Sequence, residues 1–128
     1  GITDDIFYGS SVGPGLREFL TTRGSGMINI NTAGPIVLQS LHDDLDEEIA
    51  YNIIQAREKR PFRKTAEIKT DRKDETGVGD WYKDIAPYIT VSSDAFSAHS
   101  RSNVGEYSMS IHALLDRYGQ KIYYWKRN

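Results

Sequence analysis

The chain has 128 residues, 38% of them hydrophobic and 27% charged, with a formal net charge of −2 and no cysteine. This balance suits one or two small globular domains. It excludes a disulfide framework and a Cys-based zinc site, and it offers no overall basic excess for nucleic acid.

In chain order, Pro14-Gly15 precedes Leu16-Arg17-Glu18-Phe19-Leu20, which reads as a short helix stopped near Gly24. Met27-Ile28-Asn29-Ile30-Asn31 alternates apolar and polar residues and is expected to be extended. Asn31 or Thr32 is placed to cap the next helix, with Pro35 in its first turn and Ile36, Val37, Leu38 and Leu41 on its buried face. His42-Asp43-Asp44-Leu45-Asp46 forms the turn. Asp44 with Glu47 fits a capping box, and Asp46 is an alternative cap.

Ile49, Ala50, Ile53, Ile54 and Ala56 then recur at helical spacing. Arg57, Lys59 and Arg60 suit the helix C-terminus, Pro61 stops it, and Phe62 is free to fold back. A turn of helix is expected around Thr65–Ile68, a polar loop over Asp71–Asp80, and another helical turn over Trp81–Ile85.

Beyond residue 86 the pattern changes to β. Tyr88-Ile89-Thr90-Val91 and Phe96–Ser100 are β-rich, and Asn103-Val104-Gly105-Glu106 reads as a turn. Tyr107, Met109, Ile111, Ala113 and Leu115 alternate with Ser108, Ser110, His112 and Leu114, the period-two spacing of a half-buried strand. Arg117–Gln120 reads as a turn before a last strand over Lys121–Lys126. The expected fold class is α+β: a helical helix-hairpin-helix or SAM-like part over residues 1–86, then a small antiparallel sheet over residues 87–128. So small a sheet needs a cover on one face.

No motif supports an enzyme. There is no phosphate loop and no GxGxxG, and no turn presents a Ser nucleophile. His42, His99 and His112 are scattered, with His112 on the polar side of its strand. Trp81, Trp125 and the tyrosines are expected to serve packing rather than base stacking. No apolar run approaches the roughly 20 residues that span a bilayer. The chain opens on Gly1 rather than Met, so it reads as a fragment or processed form.

Two acidic clusters remain. Asp43, Asp44, Asp46 and Glu47 crowd the hairpin turn, where helix capping explains them. Asp71, Asp74, Glu75 and Asp80, with glycines at 77 and 79, make a candidate calcium loop, although their spacing is not that of an EF-hand. The turn also bears on nucleic acid. Hairpins that hold a DNA backbone present glycine N–H groups to phosphate. The turn Leu41–Asp46 has no glycine and three carboxylates, so it repels phosphate where attraction is needed.

The runs Asp5-Ile6-Phe7-Tyr8-Gly9 and Gly15–Ala33 resemble the general secretion pathway protein K family, the large minor pseudopilins of bacterial type II secretion systems. The resemblance continues through Arg57, Pro61-Phe62, Thr65–Ile68 and Tyr88–Phe96, with Gly24-Ser25-Gly26-Met27-Ile28-Asn29-Ile30-Asn31-Thr32-Ala33 its most specific run. The acidic, glycine-free turn departs from it, since relatives often carry Pro-Gly there.

It implies a pilin-like fold in which a long N-terminal membrane helix packs on a small antiparallel sheet and a helical domain is inserted. Residues 1–86 would be part of that inserted domain and residues 87–128 the C-terminal pilin-like β-meander, the N-terminal helix being absent. It further implies a non-enzymatic role on the periplasmic side of the inner membrane, at the pseudopilus tip. The expected partners are other minor pseudopilins and secreted substrates, and some relatives bind calcium. The alternative is a DNA-binding hairpin protein of competence type, which turn glycines and a basic surface would have favoured.

Overall fold

In the computed structural model, which describes residues 1–21, 24–117 and 122–127, the chain opens with a short helix, α1 (Asp4–Tyr8). Asp4 and Asp5 in its first turn suit the helix dipole, and Gly9, at φ 88°, ends it. Strands β1 (Gly9–Ser10) and β2 (Gly13–Pro14) pair antiparallel. Gly15 must be glycine here: a Cβ would lie 2.2 Å from the Gly9 nitrogen and 2.3 Å from the Phe7 carbonyl oxygen. The helix expected over Leu16–Leu20 is only a 3₁₀ turn, Leu16–Glu18. Leu16 and Leu20 remain exposed, so no buried apolar face rewards further turns.

Strand β3 (Ile28–Asn29) leads into helix α2 (Pro35–Gln39). Pro35 takes the first helical position, as expected, but Gly34 is the cap residue and neither Asn31 nor Thr32 caps the helix. Asn31 is drawn away by longer-range partners described below. Helix α3 (Glu47–Lys59) is the longest. Of the two candidate caps, Asp46 serves: its Oδ1 accepts the Ile49 N–H at 2.9 Å. The Asp44 capping box does not form, because Asp44 lies within the turn, where its N–H donates to His42 Nδ1 at 3.1 Å.

Ala50, Ile53 and Ala56 form the buried face of α3, and Phe62 folds back beneath it, 2% exposed. A 3₁₀ turn over Thr65–Ile68 follows as expected. The segment 71–80 is not the polar loop its composition suggested. It contains helix α4 (Lys73–Thr76), ended by Gly77 at φ 74°, and it buries Arg72, Thr76 and Val78. The Thr76 hydroxyl donates to the Ile68 carbonyl at 2.5 Å, so its polar atom is satisfied in the core. Helix α5 (Tyr82–Ile85) leads through a 3₁₀ turn into β4 (Ile89–Thr90).

Strand β4 pairs parallel with β3, Ile28 opposite Ile89 and Asn29 opposite Thr90. The first β-like segment after residue 86 therefore closes the helical unit. The core consists of Ile30, Leu38, Leu45, Ala50, Ile53, Ala56, Phe62, Ile68, Val78, Ile85 and Ile89, a span running from just after β3 into β4. Full burial of each large aliphatic is worth about 1.5–3 kcal/mol, which makes this unit the stable centre.

The remaining sheet is a three-stranded antiparallel meander of β5 (Ala95–Val104), β6 (Tyr107–Asp116) and β7 (Ile122–Arg127), in the order β5-β6-β7. The chain is thus α+β. Gly105, at φ 58°, sits in the tight β5–β6 turn, with Val104 opposite Tyr107. The turn expected over Arg117–Gln120 lies outside the described residues from Tyr118 on, as does Lys121 at the start of the last strand. Alternation correctly marked β6, but not its burial. Tyr107 is 85% exposed and Met109 37%, while Ile111, Ala113 and Leu115 are half-buried.

Candidate partner interface

The segment Ile28–Ala33 organises the molecule through its amides. Asn31 Nδ2 donates to the carbonyls of Phe62 and Val91 at 2.9 and 3.0 Å, and Asn31 Oδ1 accepts the Phe62 N–H at 2.9 Å. Asn29 Oδ1 accepts the Asn31 N–H at 3.0 Å, and Asn29 Nδ2 donates to Ser93 Oγ at 2.9 Å. From α3, the Arg57 guanidinium donates to the carbonyls of Ile30 and Ala33 at 2.9 and 2.7 Å. Burial against these neutral acceptors lowers the Arg57 pKa from its ordinary value. The motif most legible in the sequence therefore does structural work, joining β3, α3, the chain after Pro61 and β4.

The same C-terminal end of α3 also meets Arg72. Its guanidinium donates to the carbonyls of Ala56 and Arg60, the latter at 2.6 Å, and pairs with Glu75 at 2.8 Å. It also lies 4.7 Å from the Phe62 ring centroid. One buried cation thus caps the C-terminal carbonyls of α3. A single Arg in a charged run has no periodicity to reveal this role.

The candidate calcium residues are distributed as follows. Glu75 is held by Arg72, whose hydrogen bond keeps its carboxyl below the ordinary range. Asp80 is held by Lys69 at 3.2 Å and is likewise lowered. Asp71 and Asp74 are exposed on either side of the start of α4. Among the described residues, no three His, Asp or Glu side chains converge where a metal ion could sit.

The hairpin turn keeps its negative character. Asp43, Asp44 and Asp46 are exposed. His42 stacks on Trp81, centroids 4.9 Å apart and planes 13° apart, with Asp84 3.8 Å from its Nε2. Of the basic residues at the far end of α3, Arg57 is occupied by backbone carbonyls, while Lys59 and Arg60 are exposed.

One described surface open to a partner is the β5–β6 sheet. Val104 is 74% exposed and Phe96 41%, and register places both on the Tyr107 face. Exposed aromatics on one sheet face mark contact surfaces. The other face carries His99 opposite His112 and meets the N-terminal segment, where Phe7, Arg17 and Leu20 help line a groove. Sequence reasoning left this histidine pair undetected. With a tight turn at Gly105-Glu106, counting outward from Val104 and Tyr107 brings 99 opposite 112, so the signal was present in the register.

No described helix is long and apolar enough to cross a membrane. Among known families, the model described as type II secretion system (T2SS), protein K matches residues 28–92. No curated protein and no solved structure matches the chain. The matched span runs from the first residue of β3 to just past β4, and so coincides with the buried core.

Proposed function

The chain belongs to the type II secretion system protein K family, and on that premise we propose that it is the partner-binding part of a minor pseudopilin at the periplasmic tip of the pseudopilus. As a family member it takes part in type II secretion and is an envelope-associated component. The finer reading is that it caps the pseudopilus together with other minor pseudopilins and supports export without catalysing a reaction. The observation that carries it is the coincidence of the family match with the whole buried core, next to a sheet on which Phe96 and Tyr107 are exposed. A self-contained helical unit beside an incompletely covered sheet suits a subunit completed by assembly. In this reading the helical unit, closed by β4, belongs to an inserted domain, and the meander β5–β7 is the pilin-type sheet.

The test uses the full-length protein in its host. It is expected to co-purify with other minor pseudopilins, and its deletion is expected to block export. Intact type II secretion after deletion, with no pseudopilin in the purified fraction, overturns the proposal.

A further inference from the structure

The β5–β6 register sets His99 directly opposite His112, and the two imidazoles stack with centroids 3.8 Å apart and planes at 22°. Both residues are exposed. Among the described residues, neither ring has a hydrogen-bond or ion-pair partner. We propose that His99 and His112 form a two-imidazole site for a divalent transition-metal ion of the zinc or nickel class.

The geometry favours chelation. Directly opposed residues of an antiparallel pair have Cβ atoms about 4.5–5.5 Å apart. Two imidazole nitrogens each about 2.0–2.1 Å from a tetrahedral ion stand roughly 3.3 Å from one another. Rings already in contact on a rigid ladder need only side-chain rotation to bring their nitrogens together, and their exposure leaves room for it. The strands have already met the entropy cost of bringing the two ligands together. Neutral imidazole suits zinc, nickel and copper, whereas calcium requires oxygen ligands, so this site is chemically separate from the acidic residues at 71–80. Arg17 lines the same groove and disfavours added positive charge; its guanidinium lies over the Tyr8 ring, 5.8 Å from the centroid. Two protein ligands leave coordination positions for water or for a side chain from a partner.

The test is a titration of the untagged 128-residue chain with zinc chloride, and separately nickel chloride, at about pH 7.5, where imidazole is neutral. Calorimetry is expected to show one equivalent bound. Imidazole NMR resonances of His99 and His112 should shift while those of His42 stay in place. H99A and H112A should each weaken binding at least about tenfold, since even the loss of an outer-shell partner costs 10–100-fold. Circular dichroism should show both variants folded. Absence of binding up to millimolar metal, shifts confined to His42, or unchanged affinity in H99A overturns the proposal.

Discussion

The side chain of Asn31 and the backbone of Phe62 exchange two hydrogen bonds, one from Asn31 Nδ2 to the Phe62 carbonyl and one from the Phe62 N–H to Asn31 Oδ1, both 2.9 Å. A side-chain amide here does what a neighbouring strand would do, giving the Phe62 peptide a donor and an acceptor at once. The second Nδ2 hydrogen reaches Val91 at 3.0 Å. One residue thereby fixes where the chain after α3 lies against the chain after β4, and Phe62 enters the core from that anchor.

Asn31→Ala is therefore expected to destabilise the chain by roughly 2–4 kcal/mol, because three partly buried backbone groups lose their partner. Asn31→Asp keeps the acceptor for the Phe62 N–H but sets a carboxylate against two carbonyls. It should be at least as damaging at neutral pH and partly relieved on acidification. Urea unfolding at about pH 7 and pH 4 checks both. Wild-type midpoints in either variant would show the network to be dispensable.

Arg72 supports a second prediction. Arg72→Met keeps much of the aliphatic bulk but leaves the α3 carbonyls and Glu75 without their cation, and it should cost about 2–4 kcal/mol. Thermal unfolding reads the loss directly.

The Glu75 carboxyl, held low by Arg72, gives the acid dependence its sign. Its folded pKa lies below the ordinary value of 4.5, so its contribution is present above that value and disappears as the pH falls through the folded pKa. Glu75→Gln should lower stability at neutral pH and flatten the acid limb of the stability profile below about pH 4.5. The check is the melting temperature measured from pH 7 to pH 3. An acid limb as steep as that of the wild type would assign it to other carboxylates.

Duplex DNA is expected not to bind specifically or tightly at physiological salt. Asp43, Asp44 and Asp46 are exposed at the turn, and Arg57 is committed to the Ile30 and Ala33 carbonyls. Fluorescence anisotropy with a labelled duplex tests this. Sub-micromolar binding that weakens steeply with salt would contradict it.

Calcium is expected to find at most a weak site near residues 71–80. An ion recruiting Glu75 and Asp80 must draw them from Arg72 and Lys69. Affinity should accordingly be no tighter than the roughly 10⁻⁴–10⁻³ M range of weak extracellular calcium modules. Calorimetry saturating at low micromolar calcium would show that the carboxylates rearrange around the ion.

The sequence by itself determined the local punctuation and the family. Pro35, Asp46 and Pro61 act through their own backbone geometry or a cap three residues away, and the spacing of Ala50, Ile53 and Ala56 is a local helical property, so all were legible. The run around Ile28–Ala33 was specific enough to point to the protein K family. Only the tertiary structure decided where the long-range partners lie. Asn31 could equally have capped a helix, but Phe62 and Val91, 31 and 60 residues away, claimed its side chain. Arg72 reads as one charge among many until α3 brings the Ala56 and Arg60 carbonyls to it. Alternation along β6 specified two faces but could not say which would be covered, because cover comes from elements distant in the chain. Pairing of β3 with β4 closes the core across some 60 residues, a contact that no period in the sequence encodes.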